Sequence, residues 1–197
     1  MSDSPGTRPS LLVRIRDPQD REAWRQFVAL YAPLIHGLCR QRGLQDADAA
    51  DLTQEVLRTV TAAAPGLVYD PARGSFRGWL YTVTCNRIHD FRDSRLNRER
   101  GSGDSATYRL LAVQPAPDNE ADRWEHDYQR HLFALAAEQV RDSFEEATWR
   151  AFWLIAVEGK SGAEASQALG LSVGAVYVAK SRVMARLKKQ IQQLEGE

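Results

Sequence analysis

Cysteine is scarce in this sequence: Cys39 and Cys85 are the only two thiols in 197 residues. They form no CxxC and no framework of paired spacings, so a disulfide scaffold is excluded and a reducing cytoplasm is the simple expectation. Long apolar runs are missing as well. No stretch approaches the ~18 apolar residues of a membrane helix, so no membrane insertion is expected. The opening residues MSDSPGTRPSLLVRIRDPQD hold an apolar run of only three, which argues against a secretory signal. Net charge is zero, with 26 Lys+Arg against 26 Asp+Glu, so bulk charge alone gives no pull toward nucleic acid. No phosphate-cradling glycine loop and no nucleophile elbow occurs, so neither a cofactor nor enzymatic chemistry is expected.

What is present is helical pattern. Asp17-Pro18 supplies a cap and a first-turn proline, and Trp24, Phe27 and Tyr31 follow at helical spacing. Leu34, Ile35 and Leu38 carry the stripe past Pro33 to a stop near Gly43. Asp46 is placed to cap a second helix through Leu52, Val56 and Val60 to Pro65-Gly66. After the turn-rich loop YDPARGS, a third helix runs from Phe76 to about Asn97 and should bury Trp79, Leu80, Val83 and Ile88. Gly, Ser, Pro and charge without period follow, which reads as a tether. Helical pattern returns at Ala121. Ser143 with Glu146 and Ser161 with Glu164 have capping-box spacing, and Ser172 can cap the final helix. The expected fold is all-α: a domain of three to four helices over 17–97, a flexible linker over 98–120 and a second helical domain over 121–197. Residues 1–16 form a flexible extension.

Charge, although balanced, is unevenly spread. Residues 77–100 carry six arginines against three acids, and 118–127 carry five acids against Arg123. From Ser172 to Gln190 there are five cations and no acid. That last stretch belongs to a recognisable unit: a short helix over 162–169, a tight turn at Gly170 and a longer helix, the layout of a helix-turn-helix. Val176, six residues beyond Gly170, should pin the second helix to the first, with Val183 and Leu187 also inward. Ser172, Val173, Tyr177, Val178, Lys180, Ser181, Arg182 and Arg186 then form an outer face with base-reading residues early and phosphate-neutralising cations later. The plain alternative is a structural helical hairpin whose basic end complements the helix dipole.

The first half carries more specific motifs. DAADLTQEVLRTV followed by FRGWLYTVTCNRIHDFRDSRLNR, with a helix-turn-helix behind them in that order, resembles the extracytoplasmic-function (ECF) sigma factors, small promoter-recognition subunits of bacterial RNA polymerase in the sigma-70 family. The resemblance implies a first domain that binds core polymerase and melts the promoter −10 element, and a second that binds the −35 element. It implies contacts of Asp51, Leu52, Gln54 and Glu55 with the clamp helices of the polymerase largest subunit. It also implies −10 contacts from Arg73, in the pocket-forming loop, and from Phe76, Arg77, Asn86, Arg87 and Arg92. Cations would hold the phosphate track there while an unstacked base enters a pocket. An anti-sigma factor or other inhibitory regulator is a further expected partner. Where such recognition helices often place Lys, Ser and Arg, this chain has Tyr177-Val178-Ala179, which favours apolar contact with thymine methyls.

Other readings stand beside this one. A free-standing helix-turn-helix regulator would bind duplex DNA without polymerase. His36, Cys39, Cys85 and His89 could supply metal ligands from two helices, although without CxxC knuckles. Asp46, Asp48, Asp51 and Glu55 could suggest a two-metal nuclease, but no lysine or histidine accompanies them.

Overall fold

A computed structural model describes residues 9–66, 75–100 and 118–195. Every regular element among them is helical, as the periodicity requires. Helix α1 (Pro9–Arg14) begins on a proline, whose fixed φ and missing N–H suit a first turn. Leu11 and Leu12 within it, and Ile15 just after, are buried. The extension expected to be flexible through residue 16 is therefore helical from Pro9 and packed into the core at Leu11, Leu12 and Ile15, because these three aliphatic groups share one side of the turn.

Helix α2 (Arg21–Gln41) is capped by Asp20, whose carboxylate accepts the Ala23 amide at 2.9 Å and Arg14 Nε at 2.9 Å. Asp17, the expected cap, instead accepts the Gln19 amide at 2.8 Å and closes the preceding turn. Pro33 sits inside the helix on its exposed side, while Phe27, Tyr31, Leu34 and Ile35 line the buried one. Gly43, at φ 86°, ends the run as only glycine does cheaply. Helix α3 (Asp46–Ala63) starts after Gln45, and Asp46 lies in its first turn, where it complements the dipole. Helix α4 (Phe76–Arg100) opens with the Ser75 hydroxyl accepting the Gly78 amide. It buries Phe76, Leu80, Val83 and Ile88, whereas Trp79 is half-buried.

Helix α5 (Asp118–Arg141) departs from the sequence reading. The chain divides into two compact units at Gln129/Arg130, inside this helix. The expected second domain began at 121, yet residues up to 129 lie with the first unit. Their chemistry explains it. Trp124 and Tyr128, one turn apart, are both buried. Tyr128 stacks on Tyr31 with ring centroids 5.7 Å apart, and Trp124 Nε1 donates to the Arg77 carbonyl at 3.1 Å. Of the expected linker, 98–100 complete α4 and 118–120 begin α5; 101–117 lie outside the described residues.

The second unit contains the rest of α5, then α6 (Glu146–Ala156), α7 (Gly162–Leu169) and α8 (Val173–Glu195). Glu145 is the N-cap residue of α6, and the expected Ser143–Glu146 box is absent: the Ser143 hydroxyl donates to the Val140 carbonyl, while Glu146 pairs with Arg141 at 3.1 Å. The Ser161–Glu164 box does form, with both reciprocal bonds present. Ala151, Leu154, Ala165, Val176 and Ala179 make one buried cluster. Small residues at its centre let α6, α7 and α8 approach closely, and Val176 supplies the expected inward anchor.

Candidate polymerase and nucleic-acid interfaces

On α3, Asp51, Gln54 and Glu55 are exposed, and Arg58 continues the same face one turn on. Neither Asp51 nor Glu55 forms an ion pair with a described residue. Leu52, by contrast, is 2% exposed and packs inward with Val56. As a direct surface contact Leu52 is therefore corrected: it holds the helix in place, and its neighbours present an acidic and amide face.

Helix α4 separates its arginines. Arg77 is 2% exposed. Its Nε donates to Glu125 at 2.6 Å and its Nη2 to the other carboxylate oxygen at 2.8 Å, and its guanidinium lies 4.4 Å from the Tyr128 ring centroid. Burial is the largest influence and opposes its charge, but the hydrogen bond to Glu125 and the attraction of Glu125, Tyr31 and Tyr128 together exceed it, so its pKa is raised. Phe76 is buried against Phe27, Tyr31 and Trp79. In this structure neither Phe76 nor Arg77 faces solvent, which corrects both as ready DNA contacts. Arg87 is half-buried and donates to the Thr59 hydroxyl at 3.2 Å, with its Nε left unbonded. Arg92 is exposed and reaches the Arg42 carbonyl. Asn86 is half-buried, and no described residue bonds its amide. Arg73 and the loop before Ser75 lie outside the described residues.

A second polar knot ties α5 to the same domain. Glu120 accepts from Arg42 Nη2 at 2.7 Å and from the Tyr81 hydroxyl. Burial, then the bond to Glu120, raises the Tyr81 pKa, while Tyr81 and Arg42 hold Glu120 below the usual carboxylate range. None of Arg42, Tyr81, Glu120 or Glu125 figures among the sequence-derived site residues. The acidic run at 118–127, set against an arginine-rich helix, was the available signal.

The cysteines are poor reactive groups. Burial pushes Cys39 up to about 11 and also raises Cys85, so both stay protonated thiols. His36 pairs with Asp46 at 3.4 Å and His89 with Asp93 at 3.1 Å. Among the described residues no cluster of three or more His, Cys, Asp or Glu could hold a metal.

The second unit presents the helix-turn-helix. Gly170 ends α7 in the left-handed conformation at φ 64°, and its amide bonds the Ser166 carbonyl. The Ser172 hydroxyl accepts the Ala175 amide at 3.1 Å and so caps α8. Beyond that cap, Val173 (43%), Tyr177 (50%) and Val178 (51%) are exposed large side chains on the outer face. Ser181, Arg182 and Arg186 are exposed beside them, with Lys180 half-buried. None of Lys180, Arg182, Arg186, Lys188 and Lys189 forms an ion pair with a described residue. Exposed apolar groups at a helix start, followed by uncommitted cations, are what a recognition helix offers to base edges and phosphates.

Fold and surfaces thus define a helical protein of two units, one of them a DNA-binding helix-turn-helix. Comparison with known proteins agrees. Residues 27–98 match the family described as Sigma-70 region 2, and residues 147–187 match Sigma-70, region 4, together more than half the chain. The chain is 27% identical to the RNA polymerase sigma factor NccH of Alcaligenes xylosoxydans xylosoxydans, over 94% of this chain and 97% of that protein. It is 28% identical to the ECF RNA polymerase sigma factor SigD of Mycobacterium bovis, over 94% and 85%. A shorter match, 31% identical, to the ECF RNA polymerase sigma factor RpoE of Cereibacter sphaeroides spans 41% of the chain and 44% of that relative. The solved structure of CnrH in complex with the cytosolic domain of CnrY covers 93% of this chain and 96% of that one at 22% identity and a TM-score of 0.36, a level that carries no weight. The chain belongs to the ECF sigma factors of the sigma-70 family.

Proposed function

We infer that this protein directs bacterial RNA polymerase to specific promoters and so initiates transcription. The observation that carries this is the order of its parts: a region 2 match over 27–98 followed by a region 4 match over 147–187. A free-standing regulator has no need of the first of these, and that reading is not favoured.

Within this function we assign finer roles. The exposed Asp51, Gln54 and Glu55 face of α3 docks on the clamp helices of the polymerase largest subunit. Asn86, Arg87 and Arg92 on α4, with Arg73 of the preceding loop, engage the −10 element as it opens. The outer face of α8 binds the −35 element as duplex, where uncommitted cations gain from counterion release. Catalysis belongs to the polymerase, and the sigma factor supplies no reacting group. With polymerase as partner, the site of action is the cytoplasm; among the described residues no helix is long and apolar enough to cross a membrane. An anti-sigma factor that masks these faces is the expected regulator. Run-off transcription with core polymerase on genomic DNA tests the function: transcripts with defined starts should appear only when this protein is added. Failure to associate with core polymerase at low ionic strength would refute it.

A further inference from the structure

Gly162, the first residue of α7, is buried although it opens a helix at the surface of its unit. What covers it is Tyr177 of α8. A Cβ built on Gly162 would stand 2.6 Å from Tyr177 Cε2, 2.9 Å from Cζ and 2.8 Å from the hydroxyl oxygen. Side-chain carbons do not approach so closely, so no residue larger than glycine can coexist with this placement of the ring. The ring is still 50% exposed, and no described residue bonds its hydroxyl. Its hydroxyl end lies over the start of α7 while half of the residue stays exposed.

This placement divides the outer face of α8. Val173 and Val178 remain exposed there, whereas the tip of Tyr177 is drawn toward the first helix of the pair. In helix-turn-helix docking the second helix meets base edges while the first crosses the DNA backbone. A hydroxyl carried to the start of α7 is therefore on the backbone side, and tyrosine is among the residues that donate to phosphate. We propose that Gly162 is a positioning residue for DNA readout: by leaving room for Tyr177 across α7, it commits that side chain to the DNA backbone and leaves base selection to its neighbours on α8. The inference rests on the −35-binding role of α8.

Helix propensity sharpens the test, since alanine is a better helix residue than glycine and a Gly→Ala change at a compatible φ is ordinarily neutral or stabilising. Loss of DNA selectivity in Gly162→Ala therefore reports displacement of the ring and not a weakened helix. The experiment reconstitutes polymerase holoenzyme with each full-length variant and selects from duplex promoters randomised over the upstream element, with affinities measured by competition. Tyr177→Phe, which keeps the ring and the fold, should lower affinity for all upstream sequences alike, by about tenfold for one hydrogen bond to a charged group. Gly162→Ala should change the preferred base at one or two positions. The double variant Gly162→Ala/Tyr177→Ala should select as Tyr177→Ala alone does. The proposal is overturned if Tyr177→Phe alters base preference, if Gly162→Ala selects and binds as wild type, or if the double variant loses affinity beyond Tyr177→Ala. A wild-type holoenzyme that selects no upstream sequence sinks the −35 role itself, and this inference with it.

Discussion

Two basic helices carry arginines that read alike in sequence and differ in the fold. On α4, Arg77 is 2% exposed and both arms of its guanidinium hold Glu125, whereas Arg87 and Arg92 bond only neutral acceptors among the described residues, the Thr59 hydroxyl and the Arg42 carbonyl, and keep their charge for DNA. On α8, Arg182 and Arg186 are exposed and face no acid among the described residues. A cation already paired inside a core contributes to folding and has little left to give a phosphate. One that stands in solvent costs the fold nothing and gains its full counterion-release term on binding. Counting basic residues along a segment therefore measures an upper bound on its electrostatic contact with DNA. The number of uncommitted ones decides the actual contact.

The sharpest way to break this contrast is Arg77→Ala. It leaves the Glu125 charge with only the Gln129 amide as a partner, opens a gap beside Tyr128 and removes a buried cation, a loss of about 3 kcal/mol of stability for the first unit. Urea unfolding followed by circular dichroism measures it. A loss of under about 0.5 kcal/mol would place Arg77 with the surface cations and restore it as a DNA contact. Arg182→Ala, its counterpart on α8, should leave the unfolding midpoint where it is.

Next in size is reversal of the acidic face on α3. Asp51→Lys with Glu55→Lys should weaken core polymerase association by about 2 kcal/mol, roughly thirtyfold, because both charges are exposed and form the proposed docking face. Fluorescence anisotropy with labelled protein reads this directly. Unchanged affinity would mean that the face is only a solvated helix surface.

Arg182→Ala then tests the other arm of the comparison. Duplex binding should weaken by about 1 kcal/mol, and the slope of log K against log salt should fall by about one unit, the signature of a single phosphate contact. An unchanged slope would exclude that contact.

Much of this architecture was legible in the sequence. The helices from α2 onward, and their order, followed from the 3.6-residue period of Phe27, Tyr31, Leu34 and Leu38 and its successors, whereas α1, only six residues long, was read as a flexible extension; the helix-turn-helix followed from Gly170, Val176 and the one-sided charge. Periodicity reports which face is buried, not which partner buries it. Trp124 and Tyr128 fall in the helical pattern that returns at Ala121, but that they pack on α2 and α4 depends on a contact nearly a hundred residues away in sequence, with Tyr31. For the same reason Arg77 read as surface charge: its acid lies 48 residues on. Caps were legible where the side chain had no better offer. Ser161 and Ser172 bond where expected. Ser143 instead donates to Val140, and Asp20 displaces Asp17 because Arg14 draws its carboxylate into place.

The smallest predicted effect concerns an acid that sits close to the cations of α8 in sequence and yet does not neutralise them. The Ser161 hydroxyl and amide hold Glu164 below the ordinary glutamate range, which spends that carboxylate on the end of α7. A depressed carboxylate stabilises the fold above its unfolded-state pKa, and the contribution fades as pH falls through the lower folded value. Ser161→Ala should therefore cost about 0.5–1 kcal/mol at neutral pH through the lost cap and move the Glu164 titration midpoint upward, as followed by carboxyl carbon NMR. It should also leave duplex affinity unchanged. If instead affinity falls with the cap, Ser161 takes part in DNA binding, and the division between charges that fold this unit and charges that bind DNA fails at its closest point.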